Sequence, residues 1–109
     1  MISSDVLRGY NDTIILSLLL DEDSYGYQIS KSIREATNEQ YVMKETTLYS
    51  AINRLEKNGY ITSYAGDISM GKPRTYFRIT DDGRKYYQAK CAEWRLTKDM
   101  LSVFIREEM

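Results

Sequence analysis

Thr46-Thr47-Leu48-Tyr49-Ser50-Ala51-Ile52-Asn53-Arg54-Leu55-Glu56-Lys57-Asn58-Gly59-Tyr60-Ile61 is the stretch that decides the fold. Leu48, Ala51, Ile52 and Leu55 recur at helical spacing and predict a helix, opened by Glu45 or Thr46, with one apolar face. Hydroxyls, an amide and cations fill the other face. Gly59 stands where a left-handed closing residue ends such a helix, because glycine takes that conformation without steric cost. Beyond it, residues 60–64 and 75–80 are β-rich, partly alternating runs. Gly66, Gly71 and Pro73 between them predict a hairpin tip that carries Lys72 and Arg74. A polar helix beside a basic hairpin suits a DNA groove.

On the N-terminal side, residues 5–20 read as one helix, with Leu7, Tyr10, Ile14 and Leu18 on a stripe and Ile15 and Leu19 adding a second apolar side. Asp23 or Ser24 is placed to cap a second helix over residues 25–36, whose buried stripe is Tyr25, Ile29, Ile33 and Ala36. Tyr41-Val42-Met43 predicts a short strand or turn. On the C-terminal side, Thr80 caps a final helix over residues 81–106, with Asp81 and Asp82 in its first turn where the helix dipole favours negative charge. Tyr87, Cys91, Trp94, Leu101 and Ile105 form one edge of that helix, interrupted by Lys98, and Leu96, Met100 and Phe104 form another. One small domain cannot cover both edges, so the pattern implies self-association as a homodimer. The expected fold is mainly α with a small β-hairpin.

A chain of 109 residues holds one domain, and 42% hydrophobic with 28% charged residues is an ordinary globular balance. No apolar run approaches the roughly 18 residues of a membrane span, and residues 1–5 lack the basic start and apolar centre of a signal peptide. The expected location is cytoplasmic, with no membrane partner. With no histidine and Cys91 as the only cysteine, the sequence excludes an internal disulfide, a multi-cysteine zinc site and histidine-based acid–base chemistry. It also lacks a nucleophile–base pair and a phosphate-cradling loop, so neither an enzyme nor a cofactor or metal is expected. Cys91 reads as a small core residue, with a redox sensor as the rarer alternative.

A net charge of −1 looks wrong for a DNA-binding protein until its distribution is read. Residues 1–30 carry one base, Arg8, against five acids; residues 44–78 carry six bases against three acids. The positive part coincides with the helix and hairpin, which gives phosphate attraction a local source. On the outer face of the predicted helix, Thr46, Thr47, Tyr49, Ser50, Asn53, Arg54 and Lys57 are spaced to meet a major groove. There Asn53 suits adenine and Arg54 suits guanine. Lys44 precedes the helix as a phosphate contact, and Lys72 and Arg74 suit backbone or minor-groove contact from the hairpin. Tyr25, Gly26 and Gln28 start the second helix, where backbone amides meet phosphate; Tyr25 equally fits the core. Among the ten tyrosines, Tyr60 and Tyr76 are assigned to the hairpin sheet, and Tyr27 and Tyr49 to the helical core. Trp94 has two readings: an indole facing its symmetry mate that stacks flat aromatics, or a residue that only cements a dimer.

Taken together, Ser24-Tyr25-Gly26-Tyr27-Gln28-Ile29, then Thr47-Leu48-Tyr49 with Arg54-Leu55-Glu56-Lys57-Asn58-Gly59-Tyr60-Ile61, then Arg74-Thr75-Tyr76-Phe77-Arg78-Ile79-Thr80-Asp81-Asp82-Gly83-Arg84 resemble the PadR family of winged helix-turn-helix regulators. The resemblance covers nearly the whole chain. It implies that residues 5–80 form a DNA-binding winged helix-turn-helix and that residues 81–109 form a dimerisation helix packing with the first helix. The short final helix is similar to the compact branch of the family, which includes a multidrug-responsive repressor with a flat, tryptophan-lined pore at its dimer interface. By that resemblance Val6, Thr13, Ser17, Cys91 and Lys98 join Trp94 around a site for a flat aromatic molecule. Lys98 stands where that repressor has an acidic residue, which shifts the implied preference from cationic toward neutral or anionic aromatics.

The sequence therefore points to a homodimeric, sequence-specific DNA-binding regulator of transcription, a ligand-responsive repressor acting on a pseudo-palindromic operator. The competing class is a winged helix used for protein–protein contact without DNA, favoured by the acidic first helix and the near-zero net charge.

Overall fold

The computed structural model describes residues 2–107. Its first departure from the sequence pattern is a break in the N-terminal helix. A four-residue α1 (Ser4–Leu7) is followed by α2 (Asn11–Leu19). The Ser3 hydroxyl caps α1 by accepting from the Val6 amide at 3.4 Å, and the Tyr10 amide donates back to the Leu7 carbonyl in a tight turn. Gly9 in that turn is a poor helix former. Contacts of the two residues that follow it hold the start of α2. The Tyr10 ring meets Trp94 edge-on, and the buried Asn11 accepts from the Tyr41 hydroxyl at 2.7 Å. Ile15, Leu16 and Leu19 are the buried side of α2, while Leu7, Ile14 and Leu18 pack half-covered against the same core.

The expected cap at Asp23 or Ser24 is replaced by a strand. Ser24 and Tyr25 form β1 (Ser24–Tyr25), paired antiparallel with Phe77 and Tyr76. Asp23 is drawn away from capping, because its carboxylate accepts from the Tyr64 hydroxyl and from Arg78. Helix α3 (Gly26–Ala36) therefore starts without a side-chain cap. Ile29 and Ile33 are buried as expected; Ala36, at the helix end, is exposed. Residues 41–43 form neither strand nor hydrogen-bonded turn, although Tyr41 and Met43 are buried.

Helix α4 (Glu45–Lys57) buries the four expected residues, Leu48, Ala51, Ile52 and Leu55. Gly59, at φ 77°, closes it: the Tyr60 amide donates to the Leu55 carbonyl and the Gly59 amide to the Glu56 carbonyl, the paired bonds of a Schellman end.

The hairpin strands are longer than the sequence suggested. β2 (Ile61–Ser69) and β3 (Lys72–Ile79) meet at a two-residue turn, Met70-Gly71, with φ of 54° and 80°. Positive φ at both positions matches the twist of the flanking strands. Gly66, expected in the tip, lies inside β2, where a Cβ would stand 2.1 Å from the Tyr76 ring, and the register slips between Ala65 and Ile68. Pro73 is likewise within β3; β1 reaches only Tyr76 and Phe77, so one side of β3 is open there and the missing N–H is tolerated. The three strands run in the order β1-β3-β2.

Helix α5 (Asp81–Ser102) begins as predicted, with the Thr80 hydroxyl accepting from the Gly83 amide at 3.0 Å. It ends earlier than residue 106. The amides of Val103 and Phe104 donate only three residues back, and Val103, Phe104 and Ile105 have no covering layer among the described residues. Residues 108 and 109 of the expected dimerisation segment lie outside the described residues. The core is formed by α2, α3, α4 and the inner face of the sheet, and of α5 only Gly83 is buried. Among the described residues, no helix is long and apolar enough to cross a membrane.

Candidate nucleic-acid interface

Opposite the buried stripe of α4, Thr46, Ser50, Asn53 and Lys57 follow one another at helical spacing, all exposed. Two clefts flank this ridge. On the wing side a groove of about 750 Å³ is lined by Tyr25, Gly26, Tyr27, Tyr49, Asn53 and Arg74, among others. On the other side a cleft of about 310 Å³ lies between α4 and the N-terminal segment, lined by Ser4, Arg8, Asn11, Thr46, Thr47, Ser50 and Arg54. The helix thus stands proud between two concave flanks, the relief that a helix entering a major groove needs.

Tyr49 reaches across the first groove so closely that a Cβ on Gly26 would sit 2.2 Å from its hydroxyl. A side chain at the start of α3 would have to displace the Tyr49 ring. On the same side the Ser63 hydroxyl donates to Glu56 at 2.7 Å and ties the wing to α4. Arg74 is not at the tip but inside β3, with its guanidinium carbon 4.4 Å from the Tyr25 ring centroid. Lys72 adjoins the Met70-Gly71 turn and is exposed, and Lys44 is the exposed N-cap of α4.

Arg54 does not project freely. Its Nε donates to Asp12 Oδ2 at 3.0 Å and an Nη to the other carboxylate oxygen, a bidentate pair that raises the guanidinium pKa. A second charged cluster sits on the outer sheet face. Tyr64 donates to Asp23 and holds its carboxyl below the ordinary value, aided by Arg78, whose guanidinium lies over the Tyr64 ring.

The remaining expected site residues lie on α1, α2 and α5. Helices α2 and α5 pack together, and Trp94 is 47% exposed with Tyr10 against its edge. Val6 and Lys98 are exposed; Thr13, Ser17 and Cys91 are half-buried. The Ser17 hydroxyl donates to the Ile14 carbonyl at 2.6 Å, and a hydrogen bond with Cys91 pushes the Tyr87 hydroxyl pKa up. None of the six lines either groove beside α4.

Sequence reasoning missed Tyr27, assigned to the core but 65% exposed and lining the wing-side groove. Its signal was present: it sits two residues from Ile29, on the side of α3 opposite the buried stripe. Arg8, Ser4 and Asp12 had no such signal, since a chain reversal brings them to α4.

Three core helices, the third with a polar face exposed beside a three-stranded wing, define a winged helix-turn-helix. Residues 15–89 match the Transcriptional regulator PadR-like family. The chain belongs to the PadR family of DNA-binding transcriptional regulators. It is similar to a transcriptional regulator from Clostridium thermocellum, with 63% identity, 97% of this chain and 100% of that one covered, and a TM-score of 0.90. A PadR family transcription regulator from Clostridium difficile R20291 shares 37% identity over 88% of this chain and 98% of its own, at a TM-score of 0.76. An uncharacterised protein from Lysinibacillus sphaericus is 44% identical across 96% of both chains.

Proposed function

We propose that the protein is a homodimeric repressor in which α4 of each copy reads one half of a pseudo-palindromic operator, the half-sites lying about one helical turn apart. The observation that carries this reading is the polar ridge Thr46, Ser50, Asn53 and Lys57 between two clefts. In it, Asn53 and Arg54 pair with base edges, and Thr46, Thr47, Tyr49 and Ser50 contact edges and phosphates. Lys44 adds a phosphate contact, and Lys72 and Arg74 act from the wing. Residues 5–80 are the reading unit, and the last helix together with the first makes the dimer. Support for the dimer comes from α5, where Trp94, Leu96, Met100 and Leu101 are 47%, 71%, 52% and 38% exposed, a larger apolar surface than one small domain leaves uncovered.

At that interface a flat aromatic molecule, neutral or anionic because of Lys98, stacks on Trp94 beside Val6, Thr13, Ser17 and Cys91. Its entry alters the tilt of the two α4 helices and releases DNA. The test is a salt-dependent fluorescence-anisotropy titration with duplex from upstream of the gene, a scrambled duplex, and the Arg54→Ala variant. Preference for the upstream duplex, a steep salt dependence and loss of preference in Arg54→Ala support the repressor reading; sequence-blind binding unaffected by the substitution removes it. Trp94 is the only tryptophan, so its emission reports the effector site directly. If flat aromatics neither quench it nor shift DNA affinity, the effector part is wrong.

A further inference from the structure

The pairing of Arg54 with Asp12 bears on how α4 discriminates among sequences. Asp12 lies in the first turn of α2, where the helix dipole stabilises its charge, and its side chain is 18% exposed. Arg54 is 51% exposed and lines the same cleft as Thr46, Thr47 and Ser50, so the carboxylate is the fixed member and the guanidinium the solvent-facing one. Both N–H donors on the engaged edge of the guanidinium are taken by the two carboxylate oxygens. An arginine uses that same forked geometry to grasp guanine or phosphate.

We propose that Asp12 is a specificity-determining residue: it occupies the Arg54 fork in the DNA-free protein, so that this arginine engages DNA only where the base sequence displaces the carboxylate. The proposal rests on the DNA-reading role of α4 given above. The relative strengths suit it. A solvent-exposed ion pair is worth up to about fivefold in an equilibrium. A phosphate contact, drawing on counterion release, is of similar strength and fades with salt. A bidentate arginine–guanine contact discriminates by about five- to 150-fold. The pair therefore opposes indiscriminate phosphate contact and yields to the correct base. Removing the carboxylate frees a permanent cation on the reading face.

The test uses the full chain as its natural assembly, with anisotropy titrations of the upstream and scrambled duplexes at several salt concentrations. Asp12→Asn is expected to tighten binding to the scrambled duplex by about fivefold and to steepen its salt dependence by about one counterion. Upstream binding changes less, so selectivity falls. Asp12→Glu, which keeps the charge, restores weak scrambled binding. Arg54→Ala weakens upstream binding by about tenfold and leaves scrambled binding nearly unchanged, with or without Asp12→Asn. If Asp12→Asn instead weakens both duplexes equally and lowers the thermal midpoint as Arg54→Ala does, the pair only fastens α4 to α2 and the proposal is overturned. Unchanged scrambled binding in Asp12→Asn overturns it too, while leaving the reading role of α4 intact. A wild-type chain with no preference between duplexes removes that role and this proposal together.

Discussion

Tyr60 and Tyr86 stack with ring centroids 4.3 Å apart and planes 16° from parallel, joining the segment after α4 to the second turn of α5. Gly83 lies one turn earlier, against the Tyr60 carbonyl; a Cβ there would fall 2.1 Å from that oxygen and 2.8 Å from Ile79. Neither neighbour is a flexible side-chain end. Gly83→Ala should therefore destabilise the fold by about 1–3 kcal/mol, the range for forcing extra volume into a packed site. Urea unfolding at fixed protein concentration measures it, and an unchanged midpoint would refute the contact.

The Tyr41 hydroxyl and Asn11 form a buried pair, with the two residues 5% and 6% exposed. Tyr41→Phe removes the donor and leaves the Asn11 carbonyl oxygen without a partner. The expected cost is about 1–3 kcal/mol, more than a solvent-facing hydroxyl would give. A double substitution with Asn11→Leu should cost less than the sum of the two single changes, because no polar atom is then stranded.

Asp23 gives the protein a distinct acid response. Its folded pKa lies below the ordinary 3.8, chiefly through the hydrogen bond from Tyr64 and then through Arg78. A lowered carboxyl pKa contributes stability that is full above the unfolded value and disappears as pH falls through the folded one. The difference in thermal midpoint between wild type and Asp23→Asn should be present at pH 7 and vanish toward pH 2. A difference that stays constant over that range would assign the effect to shape rather than charge.

Leu101 is the least exposed of the large apolar residues on the uncovered part of α5, at 38%. Leu101→Glu places a charge in the proposed interface between copies. Sedimentation should find a monomer where wild type is a dimer, and operator affinity should drop by about 100-fold through loss of bivalent binding. A variant that remains dimeric would move the interface elsewhere.

The elements legible in the sequence were those whose signals are local. Helix α4 follows from its own four apolar positions and from Gly59, and both survive intact in the fold. The α5 start follows from Thr80 and its acids for the same reason. What escaped depends on partners far along the chain. β1 is two residues long and exists only because Phe77 and Tyr76 offer it a sheet edge. Asp12 and Arg54 are 42 positions apart, and no periodicity joins them. In the hairpin, Gly71 stands in the turn as expected; its partner Met70 was not foreseen because methionine rarely adopts the φ of 54° that it has, while Gly66 advertised a turn and instead makes room for Tyr76.

Thr80 gives the molecule a joint between two helices. Its hydroxyl donates to the Gly59 carbonyl at 2.7 Å and accepts from the Gly83 amide, so the closing residue of α4 and the first turn of α5 share one side chain. From that point the 22-residue helix extends as an arm of about 33 Å. One shared side chain thereby couples the orientation of α5 to that of α4 where the two helices come nearest in the chain.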